Sequence, residues 1–443
     1  MISTKTLFST GWISLWKDAI NTSEAYRESG KKWNEPLILK FSGDAGLPEK
    51  NATGFYLDLQ NGTCKELRYA FAEDESSCNV ILEASSEIWT GIITEMKDPL
   101  FLLMQGTLKL KKGSLLKLTS ERKSAKALLQ AAHEAWASST ESDGIRQETV
   151  ETETKVSEKP QTSSPKNGHH HFATTKRGLD LDSFPMQLFQ RAKQLGVWNP
   201  ADISFEKDAE QWQSFSELEK TVLLHLSSMF IAGEEAVTLD LLPLIQTVAS
   251  EGRIEEEIYL TSFLWEEAKH TEFFALFLRD VVRADPGLER FHGQAYKKLF
   301  YNELHQALSR LEHDKSPQSQ LKASVTYNMI VEGTLAETGY EAYYNMLTDN
   351  DMLPGLREGI GLLKRDESRH IAYGLFLINR LLEEHPHLQK TLEEEAGRLL
   401  EMAIDVVHEI FEPYPEMPFG LEKSWYIDYA STQFSKRIRK LTG

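Results

Sequence analysis

Two Glu-x-x-His motifs, each next to a long apolar stretch, constrain the fold more than any other feature of the chain. Glu267 and His270 lie in TSFLWEEAKHTEFFALFL, and Glu367 and His370 directly precede IAYGLFLINRLL. Residues at positions i and i+3 of a helix lie on the same face, so the two side chains of each motif can bind one metal ion together. The apolar surroundings indicate that both motifs face a core.

The motif alone is weak evidence, because a chain with 13 histidines and 67 acidic residues produces such pairs by chance. Two further pairs are present. Glu289 and His292 follow a Pro-Gly break beside charged residues, and Glu384 and His387 lie on either side of Pro386. We expect these two pairs to be solvated.

Two isolated glutamates complete an ordered set. Glu234 lies in LSSMFIAGEEAVTL and Glu332 in YNMIVEGTLAE. A buried, unpaired carboxylate costs several kcal/mol, and a metal cation removes that cost by supplying the countercharge. The order Glu, Glu-x-x-His, Glu, Glu-x-x-His on four long apolar helices is typical of ferritin-like dinuclear carboxylate proteins. The alternative is a set of ordinary charged helices with chance pairs. Ligands of these types favour Fe and Mn over Cu and Zn.

The chain divides at a segment over 137–178 that is rich in Ser, Thr, Glu and Lys and has few large apolar residues. Such a composition predicts a flexible linker. Before it, residues 1–136 mix strand-like and helix-like stretches, which predicts an α+β domain. After it, residues 179–443 show helical apolar spacing throughout, which predicts an all-α bundle.

The local patterns predict individual elements in both domains. In the first domain we expect strands at 37–41, 54–59, 79–83 and 106–112, a hairpin continuing into 115–118, and a closing helix at 124–136. In the second we expect helices near 184–195, 215–250, 252–283, 287–311, 318–347, 355–384, 388–411 and 420–440. Pro243 should kink the second of these helices.

The net charge of −18 comes entirely from residues 179–443, because 1–140 and 141–178 each contain equal numbers of basic and acidic side chains. This acid excess disfavours binding to nucleic acid or to an anionic membrane. Two cysteines exclude a disulfide scaffold and a cysteine-type zinc site. The first residues lack the apolar core of a signal peptide, and no stretch reaches the length of a membrane span. We therefore expect a cytoplasmic protein.

Several stretches resemble the ribonucleotide-reductase small-subunit superfamily, and above all its ligand-binding oxidase branch. They are PMQLFQRAKQLGVWNPADI, AGEEAVTLD, WEEAKHTEFF, TYNMIVEGTLAETGYEAY and KRDESRHIAYG, and the similarity covers nearly all of 180–440. The resemblance implies a homodimer formed through the helical domain. It also implies a manganese and an iron ion, or two iron ions, that bind dioxygen and carry out two-electron oxidation beside a long-chain fatty acid.

The resemblance also implies a role for each site residue. It assigns Glu234, Glu267 and His270 to the manganese side and Glu332, Glu367 and His370 to the iron side, with Glu267 and Glu367 as the bridging ligands. Asp366 corresponds to an acceptor that orients His270, although a solvated helix residue is the alternative.

Three positions distinguish the branches of this superfamily. Radical-generating reductase subunits usually carry a tyrosine four residues after the first motif histidine, where this chain has Phe274. The oxidase branch forms an ether crosslink between a valine three residues after the first glutamate and a tyrosine five residues before the third, which are Val237 and Tyr327 here. The alternative for Tyr327 is an ordinary core aromatic residue.

Residues 1–136 resemble the sterol carrier protein-2 family, chiefly over 79–130. The shared features are a Met-Lys-Asp-Pro helix start at Pro99, a glycine, an alternating strand and a hairpin. Proline fits the first turn of a helix because its φ is fixed. In that family the apolar interior, here lined by residues 101–104, is a lipid tunnel; an ordinary closed core is the alternative.

Three functions are compatible with these features. The first is a manganese/iron oxidase acting on a fatty-acyl or other lipid substrate that the first domain holds or delivers. The second is a reductase small subunit, which would end in a long mobile tail, whereas this chain ends in the helix-like FSKRIRKLTG. The third is a metal-dependent lipid-binding protein that forms the crosslink once and does not turn over.

Overall fold

The structure is a computed structural model that describes residues 7–43, 46–141, 172–283 and 287–442. Two compact units are present, Met1–Phe172 and Ala173–Gly443. Most of the predicted linker, residues 142–171, lies outside the described residues. At its edges, the last helix of the first unit continues to Glu141 and a short helix covers Ala173–Lys176.

The first unit contains one five-stranded sheet with the order β3-β2-β1-β4-β5. The strands are β1 (Asn34–Phe41), β2 (Gly54–Gln60), β3 (Thr63–Ala70), β4 (Val80–Ala84) and β5 (Lys109–Lys112). Strand β1 pairs antiparallel with β2 and parallel with β4. The turn between β2 and β3 has positive φ at both Asn61 and Gly62, as the sequence Asn-Gly predicts for a hairpin.

Seven α-helices accompany the sheet in the part of the first unit that the structure describes. They are α1 (Thr10–Thr22), α2 (Glu24–Ser29), α3 (Asp74–Ser77), α4 (Ser86–Thr94), α5 (Pro99–Gln105), α6 (Leu115–Ser120) and α7 (Arg122–Glu141). The indole nitrogens of Trp12 and Trp16 donate hydrogen bonds to backbone carbonyls of α7. Both indole rings also pack on Phe55 of β2, which ties α1 and α7 to one core.

Two details of the first unit differ from the sequence prediction. Residues 115–118 form helix α6 rather than the second strand of a hairpin. The strand predicted at 106–112 begins only at Lys109, because Gly106 caps α5 in the left-handed region and the next two backbone amides bond to Leu102 of α5. The predicted helix start at Pro99 is confirmed, with the Asp98 side chain capping the amide of Phe101.

The second unit is all-helical among its described residues. Its α-helices are α8 (Ala173–Lys176), α9 (Phe184–Leu195), α10 (Glu206–Ser214), α11 (Glu217–Asp240), α12 (Leu242–Ser250), α13 (Ile254–Phe277), α14 (Gln294–Tyr296), α15 (His305–Ser309), α16 (Pro317–Ser324), α17 (Glu337–Asp349), α18 (Pro354–Glu384), α19 (Gln389–Phe411) and α20 (Lys423–Thr442). Stretches of π-helix cover Leu278–Val282, Lys297–Leu304 and Val325–Ala336. The predicted kink at Pro243 is confirmed as the break between α11 and α12.

The π-helical stretches were not predicted, because apolar periodicity does not distinguish i+4 from i+5 hydrogen bonding. The longest, Val325–Ala336, contains Glu332, and π-helical segments occur frequently at functional sites. One stretch, Glu217–Ser250, is long and apolar enough to cross a membrane. Of an 18-residue apolar segment within this stretch, 56% is buried. Buried core helices meet the same criterion, so the expectation that the chain has no membrane span stays a prediction.

Candidate metal centre

The six side chains of the predicted ligand set meet in the interior of the helical unit. Their elements are α11, α13, the π-helical segment Val325–Ala336 and α18. Each side chain belongs to a residue that is at most 5% exposed, and the set is Glu234, Glu267, His270, Glu332, Glu367 and His370. Apolar residues on these helices pull the carboxylates inward together with the core, which is the arrangement that the motif spacing predicts.

The ligand atoms form two overlapping groups, in each of which all atoms lie within 4.8 Å of one another. One group consists of Glu234, Glu267, His270 and Glu367, and the other of Glu267, Glu332, Glu367 and His370. Glu267 and Glu367 belong to both groups. The geometry therefore suits two ions with two shared carboxylates.

Each histidine directs Nδ1 towards the carboxylates. Nδ1 of His270 lies 3.2 Å from Glu234 Oε2 and 3.3 Å from Glu367 Oε1. Nδ1 of His370 lies 2.9 Å from Glu267 Oε1 and 3.4 Å from Glu367 Oε2. Nδ1 is therefore the atom that each imidazole offers to a metal ion.

The opposite nitrogen of each imidazole faces an acid from the other motif-bearing helix. His270 Nε2 lies 3.5 Å from Asp366 Oδ2, and His370 Nε2 lies 2.9 Å from Glu266 Oε2. An acceptor at Nε2 fixes the tautomer in which Nδ1 is free to bind metal. Sequence reasoning missed Glu266, although it precedes Glu267 just as Asp366 precedes Glu367.

A charged layer holds these two acids in place. Arg369 donates to Glu266 Oε1 and Asp366 Oδ1, both at 2.6 Å. Asp366 Oδ2 also accepts from the indole of Trp198 at 2.7 Å and from Lys269 at 3.1 Å. Burial opposes the charge of Asp366, but the adjacent His270 imidazole holds the pKa of Asp366 well below its usual range. Asp366 is fully buried, which contradicts the alternative of a solvated residue.

Several polar atoms that face the centre of the site make no hydrogen bond of normal geometry within the described residues. They are both carboxylate oxygens of Glu267, one oxygen each of Glu332 and Glu367, and His370 Nδ1. Leaving buried acceptors unsatisfied costs free energy, more so when they are charged. A cation among these atoms would satisfy them, so the residues present fit a metal centre.

In the absence of metal, protons on the histidines and on two of the acids offset the buried negative charge of the site. Burial raises the pKa of Glu234 and Glu332 well above the usual range. Burial also opposes the charge of Glu267, yet the histidines, led by His370, hold its pKa below the usual range. Burial lowers the pKa of His270 and His370, but the surrounding carboxylates raise it well above the usual value. Cations bound at the same place would replace those protons.

The family described as "Ribonucleotide reductase, small chain" matches residues 187–441. The chain belongs to the ribonucleotide reductase small-chain family. The match covers the elements that carry all six ligands.

Solved structures that resemble the chain are R2-like ligand-binding oxidases with reconstituted Mn/Fe cofactors. A valine-to-leucine variant is 36% identical, with a TM-score of 0.58, and the match covers 62% of this chain and 98% of that chain. A glutamate-to-aspartate variant is 35% identical, with a TM-score of 0.59, and the match covers 62% and 99%. These matches place the chain in the R2-like ligand-binding oxidase branch of the small-chain family. It is therefore an oxidoreductase with a ferritin-like helical domain.

The substitutions in those structures allow individual positions of the solved oxidases to be matched to positions of this chain. The substituted residues are a glycine, the glutamate that follows it, a valine three residues after that glutamate, and a tyrosine 93 residues after the same glutamate. Gly233, Glu234, Val237 and Tyr327 are the same residue types at the same spacings. The four positions therefore correspond between this member of the small-chain family and the solved oxidases.

The positions that distinguish the branches of the small-chain family are buried. Val237 is 4% exposed and Tyr327 is fully buried, with a hydroxyl that has no hydrogen-bond partner among the described residues. Burial and the nearby carboxylates raise the pKa of Tyr327 well above its usual range, so its phenol is neutral. Residue 274 is a phenylalanine and therefore carries no phenol. Its ring stacks on that of Phe230, with centroids 5.9 Å apart.

Glu234 and Glu332 each belong to only one of the two ligand groups. The residues that donate hydrogen bonds to these two glutamates were not predicted. The Tyr340 hydroxyl donates to Glu234 Oε1. The amide of Asn328 donates to Glu332 Oε2 at 3.1 Å, and Ser324 donates to the Asn328 side-chain oxygen at 3.0 Å. Asn328 precedes Glu332 by four residues, a spacing that could have suggested the contact. Nothing in the sequence links Tyr340 to Glu234.

The expectation that the two other Glu-x-x-His pairs are solvated is confirmed for one of them. Glu384 and His387 are exposed. The expectation was wrong for His292, which is 7% exposed. His292 Nε2 lies 2.7 Å from Ser228 Oγ and its Nδ1 lies 2.8 Å from Tyr301 Oη, and these partners satisfy the buried ring.

Proposed function

We propose that the protein is a dioxygen-activating manganese/iron oxidase that carries out two-electron oxidation of a fatty-acyl or other lipid ligand. The single observation that carries this proposal is the pair of buried ligand groups that share Glu267 and Glu367. We assign Glu234, Glu267 and His270 to manganese and Glu332, Glu367 and His370 to iron. The bound ions would supply the redox equivalents that reduce dioxygen.

The residues around the ligands prepare the site for this chemistry. Glu266 and Asp366 face the Nε2 atoms of the two imidazoles from opposite helices, and Arg369 donates hydrogen bonds to both acids. Phe263 and Phe273 are fully buried on α13, the helix that carries His270, and Phe263 stacks on His370 with ring centroids 3.7 Å apart. Such apolar walls exclude water, which strengthens the electrostatic interactions inside the site.

We further propose that the first oxidation forms an ether crosslink between Val237 and Tyr327. The Val237 C–H and Tyr327 O–H bonds break, a C–O bond forms, and two electrons and two protons pass to dioxygen. The unpartnered hydroxyl of Tyr327 supports this proposal, because no hydrogen bond must be broken first. Peptide mass spectrometry should show the loss of two hydrogens after oxygen exposure of the metal-loaded protein. The Tyr327→Phe variant should not show it, and neither should wild type kept anaerobic.

The first domain is proposed to hold or deliver the lipid. Helix α5 starts at Pro99 as the sterol-carrier resemblance implies, and Phe101, Leu102 and Met104 are buried. A tethered lipid-binding domain raises the effective lipid concentration at the oxidase site. We propose that the lipid site of the helical domain is lined by Gly233, where a Cβ would already be in van der Waals contact with the Phe300 ring at 3.5 Å, so that a phenylalanine side chain there would block the site.

The full-length Gly233→Phe variant tests whether the first domain and the helical domain each bind a lipid molecule. Native mass spectrometry of wild type should detect two lipid molecules per chain, and the variant should retain one. If the variant binds no lipid, the first domain is not a lipid carrier. We also propose a cytoplasmic homodimer formed through the helical domain, which light scattering of the purified protein would test.

A further inference from the structure

A row of aromatic rings leads away from the metal centre on the side of His370. Phe263 stacks on the His370 imidazole with an interplanar angle of 9°. The ring of Tyr259 lies 6.1 Å from Phe263, and the ring of Tyr373 lies 5.2 Å from Tyr259. Tyr259, Phe263 and Tyr373 are all fully buried. Rings at these separations allow electrons to tunnel between them.

The two tyrosines differ in what surrounds their hydroxyls. Tyr373 donates to Glu256 Oε2 at 3.0 Å. The Tyr259 hydroxyl has no hydrogen-bond partner among the described residues. A phenol that loses an electron becomes strongly acidic and must release its proton. Tyr373 can do so directly to Glu256, whereas Tyr259 cannot do so to any described neighbour.

Glu256 is connected to the surface through charged side chains. Arg380 Nε lies 3.4 Å and Arg253 Nη1 lies 3.9 Å from Glu256 Oε1. Arg253 also donates to Glu384, whose side chain is 42% exposed. Burial raises the pKa of Glu256, which makes it a better proton acceptor than an exposed glutamate. The proton acceptor of Tyr373 therefore belongs to an ion-pair network that reaches solvent.

We propose that Tyr259 and Tyr373 form a radical relay that discharges the oxidised metal centre when no lipid substrate reacts. Tyr373 gives one electron through Tyr259 to the oxidised centre and its phenolic proton to Glu256. A neutral tyrosyl radical at Tyr373, a protonated Glu256 and a centre reduced by one electron result. A soluble one-electron reductant such as ascorbate then restores the tyrosine. The inference rests on the proposed oxidase function, since it requires a metal centre that oxygen oxidises.

The test uses full-length protein loaded anaerobically with Mn(II) and Fe(II), mixed with oxygen without lipid and frozen at successive times. Electron paramagnetic resonance should detect a tyrosyl radical in wild type. The signal should be lost in Tyr373→Phe and reduced in Tyr259→Phe and Glu256→Gln. Tyr426→Phe serves as the control, because Tyr426 is also a buried tyrosine of the helical unit but packs on Phe411 instead.

Optical absorption of the same samples reports whether oxygen oxidises the metal centre. If it does and the radical signal is absent in wild type or unchanged in Tyr373→Phe, the relay is wrong and the oxidase function stands. If oxygen does not oxidise the centre, both proposals fail. A second readout is peptide mapping after repeated oxygen exposure. Oxidative damage at Phe263 should increase in Tyr373→Phe and not in the control, and equal damage would overturn the relay.

Discussion

Substitution of Glu266 by glutamine tests the crosswise support of the two histidines. Glu266 is fully buried, accepts from His370 Nε2 at 2.9 Å and pairs with Arg369 at 2.6 Å. Glutamine keeps the volume and one acceptor but removes the charge that makes the imidazole a stronger ligand. Loss of such a partner typically lowers metal affinity about 10- to 100-fold, or about 1.4 to 2.7 kcal/mol. Because one acceptor remains, we expect a loss near the lower end.

The decisive point is which of the two ions is weakened. Anomalous scattering at the manganese and iron edges measures the occupancy of each position in crystals grown at limiting metal. Glu266→Gln should lower occupancy beside His370, and Asp366→Asn should lower it beside His270. Glu272→Gln, an exposed change on the same helix, is the matched control. Equal occupancies in Glu266→Gln and the control, or a loss on the His270 side, would refute the reasoning.

Two further predictions concern stability. Burial lowers the pKa of His225 to about 4, so the folded protein favours the neutral ring. The free energy of unfolding should therefore fall as the pH drops from 6.5 towards 4, by up to about 3 kcal/mol. Urea unfolding of His225→Phe at pH 7 and pH 5 should show a weaker pH dependence than wild type, and an unchanged dependence would count against it. Glu332→Gln should leave the metal-free protein at least as stable as wild type, because burial and the Glu367 charge disfavour a carboxylate there. Calorimetry with metal at about one hundred times its dissociation constant should show that the variant loses most of the roughly 2.7 kcal/mol that binding adds to wild type; full retention would exclude Glu332 as a ligand.

The sequence predicted the helical domain and the meeting of the six ligands well, for a simple physical reason. Long helices with an apolar stripe must bury that stripe, and Glu234, Glu267, Glu332 and Glu367 lie within such stripes. The net charge of −18 fits this picture, because four of its carboxylates point inward to where cations fit. Pro243 also predicted the break between α11 and α12 correctly, because proline interrupts helical hydrogen bonding.

Contacts that depend on neighbouring helices could not be predicted in the same way. Glu266 supports the histidine of another helix, and Tyr340 reaches Glu234 from a helix more than 100 residues later in the chain. His292 is buried because Ser228 and Tyr301 satisfy it, which the charged residues beside it in sequence do not reveal. Short segments were ambiguous as well, since residues 115–118 suit a strand or a helix equally by local pattern.

Metal analysis combined with oxygen consumption tests the central claim most directly. Full-length protein loaded anaerobically with equal amounts of Mn(II) and Fe(II) should bind one ion of each per chain. It should then consume oxygen and lose two hydrogens from the peptides that contain Val237 and Tyr327. Binding of fewer than two ions per chain, or two ions that do not react with oxygen, would contradict a dinuclear oxidase.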